Sequence, residues 1–450
     1  MKRHRTIGAA SAAASKKNSN PKSVREETDT KKLTPTAGEQ LPDGSMLEPV
    51  RDSSDPARLA VLHHVGQHAT IAQHIDHGDR RYIPISAGPG LVRQLRLPIK
   101  ELPCGLPSEL IDRISSILMQ TLELAGDDAF ILAVFAVASL FADCLPKQLC
   151  LWLVGSANTE AMALLRVLGW FCWHPLLLLD DIGIDHLPEN LTATRFFYAP
   201  GPSARLRKLI SNLQAPGFGI FRAGSLREIR GATVIYSGPT DLGGVCADGF
   251  LRIPVAPAMR LLSPSDEERH RAAVEELRAK LLNYRLVHYD EVRSSTFDVA
   301  DLTGPTREIA RGLGACLVDA PDLRDRLIVL LRDQDESVRM ERSAEMSPVL
   351  ESLMVFCHER RPSVHVGEIA TTASSILSIR GEWATLSPKE VGSKLKLLSL
   401  RTTRLDAGGR GLRLTREICT RIHRTARAFG APATETGLPG CPDCPKIVDS

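Results

Sequence analysis

The sequence predicts an α/β core followed by a small, strongly basic helical unit. Three observations carry that reading. Between residues 146 and 258, short apolar runs alternate with helical patterns, at Leu149–Val154, Leu176–Leu179, Arg195–Tyr198, Gly219–Arg222, Ala232–Tyr236 and Phe250–Val255. Strand alternating with helix is the pattern of an open, largely parallel sheet. The first run ends at Gly155 and leads into a helical pattern from Thr159, a strand–glycine–helix junction. From 386 to 430, eleven Lys and Arg residues stand against three acids.

Composition sets the outer bounds. At 450 residues the chain is long enough for two or three domains, and 43% hydrophobic with 24% charged residues is ordinary for a globular protein. The net charge of +3 does not by itself point to nucleic acid. The ten cysteines are scattered and mostly sit in apolar runs, as at Cys150, Cys172, Cys316 and Cys357. They read as reduced core thiols of a cytoplasmic protein rather than a disulfide framework. Gly8–Ala14 is too short and too rich in small residues for a secretory signal. The longest uncharged run, Ala129–Ala142, falls short of the roughly 20 residues a membrane span needs. A buried helix is expected there, and no membrane association.

Taken in order, residues 1–55 are polar, with few large apolar side chains, and are expected to be a disordered tail. Residues 56–145 read as a helical segment, with helices over Leu106–Ala125 and Asp127–Cys144. Ahead of them lies a histidine cluster, His63, His64, His68, His74 and His77. The i,i+4 spacing of His64 and His68 suits one helix face, yet no complete ligand set accompanies it, so no metal is expected. Residues 146–258 form the α/β core, with Thr159 as the expected cap of its first helix. Residues 259–346 read as a helical lid of three helices: one opened by a capping box at Ser265–Glu268 and running to Asn283, then Thr306–Val318, then Pro321–Ser343. Residues 347–430 give a helix (Ser347–Glu359), a second over Val364–Leu377, and a third, Pro388–Leu398, introduced by Ser387-Pro388-Lys389-Glu390. A hairpin around Asp406–Arg410 and a last helix, Thr415–Phe429, follow. Three helices, a hairpin and a helix is the order of a winged helix-turn-helix. Residues 431–450 are expected to be a flexible tail, in which Cys441 and Cys444 read as free thiols rather than a zinc site.

The junction at Gly155 can be laid on the phosphate-binding pattern G-x-x-x-x-G-K-[ST]. Gly155 matches the first glycine. Glu160 then stands in the place of the second glycine, Ala161 in that of the lysine, and Met162 in that of the Ser/Thr. The lysine holds the β/γ-phosphates and the hydroxyl holds Mg²⁺, so Gly155, Thr159, Glu160, Ala161 and Met162 form a degenerate phosphate loop. The acidic pair Asp180-Asp181 ends the second strand, and the next strand ends in Ala199-Pro200, where related ATPases place carboxylates. Ser237 ends the strand in which a sensor residue would sit. Arg307 lies early in a lid-like helix, where a structural salt bridge is the expected role. No nucleophile–base pair and no cofactor site stands out, so the chain reads as a non-enzyme.

The basic unit carries the more specific signal. Lys389, Ser393 and Lys396 share one helix face by their spacing. With Lys394, Arg401, Arg404, Arg410 and Arg413 they make the expected nucleic-acid-binding set, Arg410 lying at the tip of the wing beside Gly408 and Gly409.

With these residues laid out, the chain resembles helicase/primase-associated P-loop proteins of bacterial mobile elements. The segments Leu281–Leu286 and Phe297–Arg311 carry the resemblance to a degenerate branch of that group. The resemblance implies a degenerate P-loop NTPase-like parallel sheet with a helical lid, followed by a C-terminal winged helix-turn-helix. It also implies a context of replication or maintenance of a mobile element, with DNA and possible replication proteins as partners. Glu160, Ala161, Met162, Ala199 and Pro200 depart from the catalytic pattern of active members. The leading expectation is therefore a non-catalytic DNA-binding accessory protein. Two alternatives stand beside it: a scaffold docking on an active helicase or primase, and an ATPase with an unorthodox loop. No ATP or GTP hydrolysis above buffer is expected in a phosphate-release assay; turnover that co-purifies with the protein and vanishes in a Gly155 variant would contradict this.

Overall fold

The computed structural model describes residues 31–180, 191–213, 219–222, 225–228, 231–238, 249–255, 260–382, 384–405 and 409–429. The N-terminal basic run, Asp181, residues 406–408, Cys441 and Cys444 lie outside them.

The described residues open with a β layer: β1 (Lys32–Thr36), β2 (Glu39–Gln40), β3 (Met46–Arg51), β4 (Leu59–Val65), β5 (His68–Ala72), β6 (Ile75–His77) and β7 (Arg80–Pro84). Strands β2-β3-β4-β5 form one antiparallel sheet, and β1-β7-β6 form another in which β1 and β7 run parallel. This corrects two expectations. Residues 31–55 are not a disordered tail, and residues 56–84 are not helical. The segment is polar on average, but its few apolar residues are placed for pairing. Met46, Leu47 and Val50 on β3 and Ala60, Val61 and Leu62 on β4 are all buried. His64 and His68 belong to adjacent strands joined at Gly66, with Val65 opposite His68 in register. His63 contacts the Ser45 hydroxyl at 3.1 Å. No cluster of three metal-ligating side chains occurs among the described residues.

Helices α1 (Pro89–Leu95), α2 (Pro107–Leu122) and α3 (Gly126–Ser139) lead to the core. Helix α3 is apolar all round, with every residue from Ala129 to Ser139 buried, as the uncharged run predicts. No described helix is long and apolar enough to cross a membrane.

The core strands are β8 (Cys150–Val154), β9 (Pro175–Leu179), β10 (Thr194–Tyr198), β11 (Gly219–Arg222), β12 (Ser225–Glu228), β13 (Thr233–Tyr236) and β14 (Leu251–Pro254). Five of them make a parallel sheet in the order β14-β8-β13-β10-β9. The run Gly219–Arg222, expected in that sheet, pairs instead with β12 as a separate hairpin. Both faces of the sheet are covered, and side chains alternate between them with the period of two a strand imposes. Leu151, Leu153, Phe196, Val234 and Tyr236 join the main core, while Cys150, Trp152, Phe197 and Ile235 pack with Leu206 and Ile210 of the helix after β10 on the other face. Helix α4 (Asn158–Leu168) follows β8, and α5 (Ala204–Leu213) follows β10.

The helical region holds α6 (Pro264–Arg293), α7 (Gly304–Ala315) and α8 (Pro321–His358). Helix α6 starts two residues earlier than expected. Ser263 is its cap, Pro264 its first residue, and Asp266 closes the capping box. Helix α8 is continuous over 38 residues, where two helices were expected. Pro348 lies inside it, and the apolar face carries on past it through Val349, Leu350 and Leu353. The C-terminal elements are β15 (Ser363–His365), α9 (Val366–Ile379), α10 (Pro388–Leu397), β16 (Thr403–Leu405), β17 (Gly409–Arg413) and α11 (Arg416–Ala428). Strand β15, expected as the start of a helix, makes β16–β17 into a three-stranded antiparallel sheet. These elements and the last part of α8 share a core of their own, from Met346 to Ala426.

One ion cluster ties the β layer to the helices. Arg285 of α6 is 1% exposed. Its Nε donates to Glu48 Oε1 of β3 at 2.6 Å, and Nη1 and Nη2 donate to the two oxygens of Asp143 at 2.8 and 2.7 Å. Nη1 also donates to the Leu140 carbonyl, and the Tyr289 hydroxyl donates to Asp143 at 3.2 Å. One cation thus serves two carboxylates. Asp143, held by both guanidinium arms, is kept below the usual carboxylate range, with Arg285 outweighing the cost of its burial. Burial dominates at Glu48, which keeps only one bond to Arg285 and is pushed up to about 7. Removing one partner from a buried pair costs about 3–5 kcal/mol, so Arg285→Met is expected to lose that much stability in urea unfolding. Glu48 gives a pH signature. Its folded affinity for a proton exceeds the unfolded one, so its stabilising contribution is complete below about pH 4.5 and is lost as pH rises through about 7. Stability measured between these limits should carry that decline, and Glu48→Gln should remove it; an unchanged slope in that variant would exclude Glu48 as the source.

Candidate functional site

Ligands of open α/β sheets bind beyond the carboxyl ends of the strands, and the junction after β8 lies there. Its glycine is needed for packing. Gly155 has φ +154°, and a Cβ on it would sit 2.4 Å from the Val255 carbonyl oxygen. Helix α4 begins at Asn158, so only residues 155–157 separate strand from helix. Thr159, Glu160, Ala161 and Met162 are already helical, and the Ala161 N–H bonds the Ala157 carbonyl at 3.0 Å. A phosphate cradle needs those amides in a wider turn. Thr159 is not the cap; Ala157 occupies that position without a side-chain bond.

Neighbouring side chains occupy the space. The Tyr236 hydroxyl donates to the Asn158 side-chain oxygen at 2.8 Å and lies 3.0 Å from the Gly155 carbonyl. Its ring stacks on Tyr198 at 5.6 Å. Burial, with Tyr198 and Glu160 beside it, raises Tyr236 above the usual phenol range. Trp152 Nε1 donates to the Ser237 hydroxyl at 2.8 Å, engaging the sensor-position serine. Asp180 accepts from the Ser203 N–H at 3.2 Å, and Ser203 in turn accepts from Leu206 at the start of α5. Arg307 pairs with Asp298, which also binds Arg311, the structural role its sequence position suggests. The two arginines hold Asp298 well below the usual carboxylate range.

The basic unit has a different geometry. Ser387 caps α10 by accepting from the Glu390 N–H, and Glu390 accepts in return from the Ser387 N–H at 2.8 Å. Val391 and Leu395 anchor the buried side of the helix. The opposite side presents Lys389, Ser393 and Lys396 to a groove of about 1030 Å³. Arg401 and Arg410 line the same groove from the chain after α10 and from β17. Among the described residues, no carboxylate lines it. Arg404 stands directly opposite Arg410 across β16–β17, and both are exposed, as is Arg413. Like charges facing one another across strands destabilise a hairpin. Gly411 admits the close approach of β15, since a Cβ there would lie 2.3 Å from the Val364 carbonyl oxygen.

Five of the eight expected contact residues therefore line one groove, with Arg404 and Arg413 on the adjoining sheet. Lys394 is elsewhere. It points to α8, its Nζ bonding the Glu345 carboxylate at 2.6 Å and the Glu345 carbonyl at 3.2 Å. One helical step from Ser393 turns it off the exposed face. Sequence reasoning missed His365 and Gly367, which bring the start of α9 to the groove. The signal was Glu368, three residues after His365, whose carboxylate accepts from the His365 N–H at 2.7 Å.

No protein-family model matches this chain, and no curated protein does. Among solved structures, the apo A form of the NrS-1 C terminal region is similar at 10% identity and a TM-score of 0.33, covering 82% of this chain and 96% of that one. Drosophila ORC bound to DNA is similar at 12% identity and a TM-score of 0.17, covering 75% and 91%. Scores at this level establish no shared fold.

Gly411→Val is expected to separate β15 from β17 and lower the stability of the C-terminal elements by about 1–3 kcal/mol. Protection of the Val364 and Leu412 amides in hydrogen exchange reports it, and unaltered protection would contradict the packing role.

Proposed function

We propose that this chain is a non-catalytic DNA-binding accessory protein. In this reading residues 347–430 act as a winged helix-turn-helix domain, with α10 as recognition helix and β16–β17 as wing. The degenerate phosphate loop belongs to a pseudo-ATPase core, and the chain serves replication or maintenance of a mobile element. The observation that carries the reading is the groove, where Lys389, Lys396, Arg401 and Arg410 converge with no carboxylate among the described residues that line it. Phosphates entering it would relieve the repulsion between Arg404 and Arg410, and counterion release would favour the complex. The helix face of α10 is the element shaped for a major groove.

Titration of duplexes at two salt concentrations tests this. Lys396→Ala, Arg410→Ala and Arg413→Ala are each expected to weaken binding on all sequences and to flatten the salt slope by about one unit. Lys389→Ala or Ser393→Ala should cost about 1–3 kcal/mol on a preferred site only. Lys394→Ala, whose side chain faces α8, should change affinity less than twofold. Unchanged affinity in the triple variant of Lys396, Arg410 and Arg413 would remove the DNA reading.

A second reading, a scaffold docking on a helicase or primase, is favoured by two apolar side chains beside the groove elements. Ile379 is 86% exposed and Leu397 49% exposed. Apolar exposure of that kind suits a protein partner, and binding through it would be nearly independent of salt.

A further inference from the structure

A second pocket, of about 410 Å³, lies between the end of β3, helix α1, the turn after α4 and the first half of α6. Five arginines line it, Arg51, Arg93, Arg96, Arg271 and Arg278, against two glutamates, Glu267 and Glu275. The glutamates are engaged. Glu275 lies 3.7 Å from Arg51, and Glu267 lies 3.1 Å from Arg96. Arg278 has no carboxylate partner among the described residues. Its Nε donates to the Trp170 carbonyl at 2.7 Å, which fixes the guanidinium in place. Its Nη2 is buried and has no acceptor, and the same is true of the buried indole N–H of Trp170. Burial, with Arg96 and Arg51 nearby, pushes Arg278 down to about 9, which leaves it charged at neutral pH.

A buried donor without an acceptor costs about 1–3 kcal/mol, and more when it is charged. Arg271 pairs with Glu268 at 2.6 Å, so Arg93 and Arg278 are the two lining arginines without a carboxylate partner among the described residues. Together with the two unsatisfied donors they describe a site short of negative charge and of acceptor oxygens. A phosphate group supplies both, and arginine matches it through paired N–H bonds. We propose that this pocket binds a small phosphoanion, the di- or triphosphate group of a free ligand. Its volume is in the range of small-molecule sites, and the two arginines left without a carboxylate, Arg93 and Arg278, suit an anion of more than one charge.

The test is calorimetric titration of the full chain with pyrophosphate and with tripolyphosphate, with thermal unfolding in parallel. Saturable one-to-one binding and a raised Tm are expected. The double variant Arg93→Gln/Arg271→Gln changes two exposed side chains, so its unliganded Tm should be unchanged while binding weakens at least tenfold. Arg278→Gln should weaken it further. The triple variant of Lys396, Arg410 and Arg413 should bind pyrophosphate normally, which separates this site from the basic groove and its fate from that of the DNA reading. Absence of saturable binding, or equal binding in Arg93→Gln/Arg271→Gln, would overturn the proposal. Displacement of pyrophosphate by a short duplex, lost in the Arg93/Arg271 variant, would assign the phosphate to nucleic acid and overturn the small-ligand assignment.

Discussion

The architecture hangs on a single buried guanidinium. Arg285 reaches Glu48 in the N-terminal β layer and Asp143 after α3, so three segments far apart in sequence meet at one side chain. A buried cation that loses its partners is far more costly than an apolar residue in the same place. That asymmetry penalises any arrangement of the β layer on the helices that leaves Arg285 unpaired. The cluster is further enclosed by Trp173 and Tyr289, whose ring centroids lie 5.3 and 4.9 Å from the guanidinium carbon. Gly38 closes it from the β1–β2 side, where any Cβ would collide with the second Glu48 oxygen.

Charge is handled in opposite ways at the Arg285 cluster and at the basic groove. Around Arg285, carboxylates outnumber the cation and one of them is driven toward its neutral form. Around α10 and β17, cations outnumber carboxylates, and the excess stays in solvent, where screening keeps its cost low. The first arrangement fixes an interior. The second leaves a surface whose repulsion an incoming anion relieves. The junction after β8 belongs to neither class. Tyr236 donates to Asn158 there and Trp152 donates to Ser237, so polar groups of the sheet edge are bonded among themselves.

Much of the core was legible because its signals are local. The apolar runs of the parallel sheet fall within a residue or so of the observed strands, since a strand buried on both faces must be continuously apolar. Ser387-Pro388-Lys389-Glu390 announced α10 through capping chemistry that operates within four residues. The shared face of Lys389, Ser393 and Lys396 followed from helical spacing alone. What was missed depends on distance in sequence. The β layer is built from two- to seven-residue strands in a polar segment, too short for periodicity to show. The partnership of Glu48 and Arg285 spans 237 positions. The engagement of Lys394 requires knowing that α8 passes beneath α10, and that helix itself was expected as two, divided between Ser343 and Ser347 just ahead of Pro348, where packing carries the helix through.

That uninterrupted α8 has a geometric consequence. At 1.5 Å per residue its 38 residues span roughly 57 Å. Its first half packs against α7, and its last turns belong to the core that supports the basic groove. The helix therefore works as a shaft, and the azimuth of the groove relative to the parallel sheet is set by how many residues lie between the two cores. Each residue of that span corresponds to about 100° of rotation. Length along this shaft is thus an angular coordinate, and the direction in which Lys389 and Arg410 face is encoded in a stretch of chain that touches neither.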